Sequence, residues 1–135
     1  MAKLTEAQWI DKRDRMPTKA DEDPNGKVMV YNVYGGTMIS GAEDFATYGG
    51  KYSTHWMRIP TLSEEGWVPV AERMPTRQDE DETGCILGYN QLHGAHVTSA
   101  GNLAAYGGQY ETHWHRMPPR PRMDTGYAAE IKEQL

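Results

Sequence analysis

The sequence predicts an α+β fold that is mostly β: two tandem homologous β-β-(short α)-β units packed with pseudo-two-fold symmetry, followed by a short C-terminal helix. Three observations predict it. Residues 9–60 recur as residues 67–118 at a constant offset of 58, without insertion or deletion, and 23 of the 52 aligned positions are identical. Self-similarity on that scale marks a tandem duplication and takes precedence over local propensity. Within each copy, short β-rich apolar runs are separated by Gly, Asn and Asp turn residues. Finally, a unit of 52 residues buries little apolar surface by itself. Two like units in one chain most simply cover each other, the intramolecular version of an isologous dimer.

The chain divides into an N-terminal arm (1–8), repeat unit 1 (9–60), a polar linker (61–66), repeat unit 2 (67–118) and a Pro/Arg segment with the C-terminal helix (119–135). Each unit opens on Trp9 or Trp67 and runs extended to Arg15-Met16-Pro17-Thr18 or Arg73-Met74-Pro75-Thr76, since proline disfavours helix in the residue before it. Acidic turns follow, from Asp21 to Gly26 and from Asp79 to Gly84. Val28 to Tyr34 and Ile86 to Leu92 read as strands. Gly35-Gly36 offers a hairpin turn into the next strand, with His93-Gly94 a less ideal version of it. Ala42 to Tyr48 and Ala100 to Tyr106 read as short helices capped by Gly-Gly. Strands from Lys51 to Ile59 and from Gln109 to Met117 close the units at Pro60 and Pro118. Pro118 to Arg122 reads as exposed polyproline-like chain. Tyr127, Ile131 and Leu135 then form one apolar stripe of an amphipathic helix, a tail suited to a partner.

Composition excludes several functions. A net charge of -5 without a basic stripe argues against general nucleic-acid binding. No run approaches the roughly 20 apolar residues of a membrane span. The N-terminus lacks the apolar stretch of a secretory signal, so a cytoplasmic protein is expected. The lone Cys85 stands where the first copy has Lys27, which makes it a packed or surface thiol rather than a nucleophile. Catalytic residues are not expected: the sequence has no nucleophile elbow, P-loop or dinucleotide fingerprint. No cofactor is expected either.

The most specific motif is Tyr-Gly-Gly-x-Tyr-x-Thr-His-Trp, at Tyr48–Trp56 and again at Tyr106–Trp114. Alternation along a strand puts Tyr52, Thr54, Trp56 and Arg58 on one face, with Tyr110, Thr112, Trp114 and Arg116 matching them. That row reads as each unit's core or as the contact between units. The candidate ligand- or partner-binding residues are Tyr48, Tyr52, His55, Trp56, Tyr106, Tyr110, His113 and Trp114, able as paired aromatic sites to grip a flat ligand or a partner's side chain. His93, His96, His113 and His115 are metal candidates in the second copy alone, because Gly35, Met38 and Met57 fill three of those positions in the first; no metal is assigned. Asp21, Asp23, Asn25 and Gly26 follow the opening spacing of a calcium loop, but Asn32 stands where its last glutamate belongs, and a solvated turn is the better reading.

The ends of the units carry a resemblance. Trp67-Val68-Pro69-Val70-Ala71-Glu72-Arg73-Met74-Pro75 and Thr112-His113-Trp114-His115-Arg116-Met117-Pro118-Pro119 resemble the two ends of a small family of unknown function from bacteriophages and prophages (domain of unknown function 551). The first copy fits at Trp9-Ile10, Arg15-Met16-Pro17 and Thr54-His55-Trp56-Met57. It departs at Asp11, Lys12 and Arg58-Ile59-Pro60; His115 and Arg116 depart in the second. The resemblance implies phage origin and brings no activity. The expected function is a non-enzymatic phage accessory protein in the cytoplasm of the infected bacterium. Such a protein binds and inhibits a host component, either a defence protein or a small signalling nucleotide. The alternatives are a virion component, such as a capsid decoration or tail adaptor contacting phage structural proteins, and a metal-binding protein. A homo-oligomer is compatible with each.

Overall fold

The computed structural model describes residues 8–49, 52–63, 66–106 and 110–121. The predicted C-terminal helix, with Tyr127, Ile131 and Leu135, and residues 1–7 of the arm lie outside the described residues.

The first unit contains β1 (Ile10–Asp11), β2 (Val28–Asn32), β3 (Gly36–Ser40), α1 (Ala42–Tyr48) and β4 (Ser53–Met57). The second contains β5 (Val68–Pro69), β6 (Ile86–Asn90), β7 (Gly94–Thr98), α2 (Ala100–Tyr106) and β8 (Glu111–His115). Each makes a four-stranded antiparallel sheet, ordered β1-β4-β2-β3 and β5-β8-β6-β7. The registers match position for position: Val30 faces Trp56 as Gly88 faces Trp114, and both sheets shift register at the same place, after Tyr31 and after Tyr89. The fold is thus mostly β with two short helices, and the opening Trp segment supplies an edge strand to each sheet.

Turn chemistry explains the boundaries. Asn32 Oδ1 accepts the N–H groups of Tyr34 and Gly35, and Asn90 Oδ1 those of Leu92 and His93, ending β2 and β6 two residues earlier than their apolar runs suggest. The hairpins then need left-handed backbone at one position only, Gly36 (φ 79°) and Gly94 (φ 83°). His93 sits where no positive φ is required, so the second hairpin is as well suited as the first. Gly49 follows α1 with right-handed backbone (φ -63°), so at this residue the expected left-handed glycine cap is not formed. At their N-termini the helices borrow a cap from 20 residues away: Glu22 accepts the Ala42 N–H and Glu80 the Ala100 N–H.

Two-residue periodicity sorts the apolar side chains. Val28, Val30 and Trp56 form with Phe45 of α1 a core inside the first unit, and Ile86 and Trp114 form with Leu103 of α2 its counterpart. The opposite faces meet. Met29, Tyr31 and Met57 join Leu87, Ala95 and Met117 in a third cluster drawn from both units. The layers therefore run helix, sheet, sheet, helix. Trp56 and Thr54 belong to the unit's own core, and the contact between units is made by the other face of the strands.

The two units exchange contacts. Trp9 Nε1 donates to the Pro119 carbonyl (2.7 Å), while Trp67 Nε1 donates to Pro60 (3.2 Å). Gly36 lies against Thr83, whose Cγ2 would stand 3.2 Å from an added Cβ, and Gly94 lies against Asn25. The hairpin glycine of each unit thus rests on the acidic turn of the other. Pro118 and Pro121 are buried, so that part of the expected exposed Pro/Arg segment is instead packed against the body. The tryptophan bond at Pro119 and the ion pair of Arg120 with Glu82 tie it down.

Candidate functional site

At the C-terminal ends of β4 and β8 the sequence builds the same charged corner twice. Asp21 is buried, on a short 3-10 turn (Lys19–Asp21). Its carboxylate accepts a bidentate pair from Arg15 (3.0 and 3.0 Å), two bonds from Arg58 (3.1 and 2.8 Å) and the Thr18 N–H (2.8 Å). The Arg15 guanidinium lies 4.8 Å from the Trp56 ring centre, and Trp56 Nε1 donates to the Arg15 carbonyl. Asp79, on the Arg77–Asp79 turn, repeats the arrangement with Arg73, Arg116 and Thr76, and Arg73 lies 4.7 Å from Trp114. Arg15, the Thr18 amide and Arg58 hold the Asp21 carboxyl well below the usual carboxylate range despite burial. Burial alone would raise Asp79, and Arg73, the Thr76 amide and Arg116 overcome it.

The solvated-turn reading is therefore corrected at Asp21 and Asp79, which are ion-paired and 3% and 4% exposed. Neither is available to a calcium ion. Asp23 and Asp81 do close exposed turns, each accepting two backbone N–H groups.

A cleft lies beside each corner. Ile10, Arg15, Met57, Arg58 and Ile59 line one of about 380 Å³. Their counterparts Val68, Arg73, His115, Arg116 and Met117 line one of about 690 Å³, which also takes in Glu80, Asp81 and Glu82. The guanidiniums reach solvent: the side chains of Arg15 and Arg58 are 50% and 66% exposed.

Among the described residues the predicted aromatic side chains are not brought together. Trp56 and Trp114 are 0% and 1% exposed, so their ring faces pack in the cores and cannot grip a ligand. Tyr48, on α1, is 80% exposed. Tyr52 and Tyr110 precede β4 and β8 and lie at the opposite end of the sheets from Arg58 and Arg116. Tyr52 packs edge-on against Tyr34 at 4.8 Å. Tyr106 ends α2. His55 and His113 are hydrogen-bonded through Nδ1 to the preceding threonine hydroxyl (2.8 Å each), His55 opposite Asp11 in register and His113 opposite Pro69.

The metal candidates are spread over the second unit. His113 faces Tyr89, His115 donates from Nδ1 to the Arg116 carbonyl, and His93 sits in the hairpin turn. Among the described residues no group of three or more His, Cys, Asp or Glu could hold a metal ion. His96 is instead paired with the buried Glu111 (Nε2 to Oε1 2.5 Å). It reaches across β6 because residue 88 is glycine; a Cβ there would meet His96 Nε2 at 2.9 Å. The other Glu111 oxygen, Oε2, is buried without a hydrogen-bond partner among the described residues.

Sequence reasoning missed the Arg–Asp–Arg corners as units, although the signal was present: Arg15, Thr18, Asp21, Trp56 and Arg58 are all identical to their counterparts. The His96–Glu111 pair carried no sequence signal, because only the strand register brings it together. No family model matches the chain, and no curated protein and no solved structure matches it. The phage-family resemblance therefore rests on the end motifs alone.

Proposed function

We propose that this chain is a non-catalytic accessory protein of bacteriophage origin that binds and inhibits a host protein in the cytoplasm of the infected cell. Its halves are related by a pseudo-two-fold axis, and the equivalent loop tips of the two halves offer two like binding surfaces, one at each end of the molecule. The observation that carries this reading is the recurrence of exposed apolar side chains at equivalent tips. Tyr34 and Leu92 are 61% and 60% exposed at the two hairpin turns, with Tyr52 beside Tyr34 and Tyr110 exposed in the second unit. Large apolar side chains that folding leaves outside at the same place twice suit an interface, where tyrosine offers area at low entropic cost. The crossed Trp9–Pro119 and Trp67–Pro60 bonds support the symmetric relation.

Most of the polar side chains common to both copies are engaged in folding bonds, which favours binding over catalysis. The burial of both motif tryptophans favours a protein partner over a nucleotide. A photo-crosslinking amino acid placed at Tyr34 and, separately, at Leu92 during infection tests the proposal. Capture of one and the same host protein from both positions is the expected result. Crosslinks to phage structural proteins in purified virions would replace it with the capsid decoration or tail adaptor reading.

A further inference from the structure

The geometry points to a carboxylate-binding site in the first unit's cleft, built by Arg15 and Arg58, whose ligand carries its carboxylate on an apolar group. The site is separate from the loop tips and stands independently of the proposed partner. Two guanidiniums share one carboxylate, that of Asp21, so the corner retains one positive charge in excess. Asp21 and the Trp56 ring hold Arg15 in place, and Asp21 holds Arg58, so the forks are ordered before any ligand arrives. Each guanidinium carries five N–H donors, and the Asp21 bonds use two on each. The remaining donors border a cleft whose other walls include Ile10, Met57, Ile59 and Pro60. About 380 Å³ falls within the range of small-molecule pockets. One surplus charge beside an apolar wall matches a monoanionic carboxylate better than a doubly charged, strongly hydrated phosphate.

The second unit contains its own control. Arg73 and Arg116 stand in the same frame, with Asp79, Glu80 and Asp81 matching Asp21, Glu22 and Asp23, but His115 replaces Met57 in the wall and Glu82 replaces Pro24, so that cleft is less apolar and takes in one further carboxylate.

The test is a titration of the whole protein followed by NMR of the arginine Nε–H signals. The probes are hexanoate for an acyl chain, N-acetyl-leucine for a peptide C-terminus, and acetate and inorganic phosphate as apolar-free anions. Saturable shifts at Arg15 and Arg58 are expected with hexanoate or N-acetyl-leucine, about tenfold tighter than with acetate or phosphate, while Arg116 stays still. Which of the first two binds more tightly identifies the ligand's source. Arg58→Gln should weaken binding about tenfold or more, and Arg116→Gln should leave it unchanged. Should Arg58→Gln fail to fold, Arg58→Lys keeps the charge without the fork and should also bind more weakly. Equal shifts at Arg58 and Arg116, phosphate binding as tightly as the carboxylates, or no shift at Arg15 and Arg58 would each overturn the site.

Discussion

The two units agree in the groups that hold the backbone, and one linked set of their differences falls on a single line across the sheet. Both keep the Arg–Asp–Arg corner, the tryptophan beneath it, the asparagine of the hairpin and the glutamate that caps the helix. Across the middle, the first unit has Val30 and Met38, and Asn32 Nδ2 donates to Ser53 Oγ (3.1 Å). The second has Gly88, His96 and Glu111. The three replacements are coupled: the glycine clears the path, the histidine spans it and the glutamate meets it. The difference teaches that identity between copies of a duplicated chain marks the frame, whereas linked departures mark where one copy was rebuilt.

Three experiments would break or sharpen that comparison. The largest effect belongs to the frame. Trp114→Ala and Trp56→Ala should each cost about 3–5 kcal/mol, enough to unfold a marginal protein, and should do so alike; urea denaturation measures it. A large disparity would mean that the two corners do not carry equal weight.

Next comes the buried aspartate of each corner. Asp21→Asn and Asp79→Asn should each cost about 1–3 kcal/mol, discounted because the arginines are half to two-thirds exposed. Both carboxyls titrate below the unfolded value near ~3.9. Their stabilisation is therefore complete above that value and is lost as pH falls through the lower folded range. Wild-type thermal stability should drop steeply below about pH 4, and the double Asn variant should lose most of that steepness.

The smallest effect tests the rebuilt line. Gly88→Val should push His96 off Glu111 and cost about 1–3 kcal/mol by leaving a buried carboxylate unpaired. Adding His96→Met and Glu111→Ser restores the first unit's set and should recover most of that loss in thermal melts. No recovery would mean that the three positions are not coupled.

Much of the fold was legible because its signals are local or repeated. The duplication and the β-β-(short α)-β order need only periodicity and turn residues. The roles of the faces were less legible, since strand alternation says which residues share a face but not which face meets the helix. Asp21 lay in an acidic run that reads as solvated, and only the fold brings Arg58 to it from 37 residues away. Glu22 was hidden likewise, because a cap is normally sought beside the helix it serves. The motif tryptophans have a sequence position suited to a binding site and a structural one inside the core.

The crossed tryptophan bonds carry a consequence for how this chain folds and could have arisen. Because Trp9 holds Pro119, just past the second unit, and Trp67 holds Pro60 at the end of the first, each half is tied to the other. Cut apart at the linker, the halves would have to meet before either could finish folding, and assembly would depend on concentration. Joining them in one chain turns that encounter into an intramolecular step, which gives the linker between residues 60 and 67 a role as a tether.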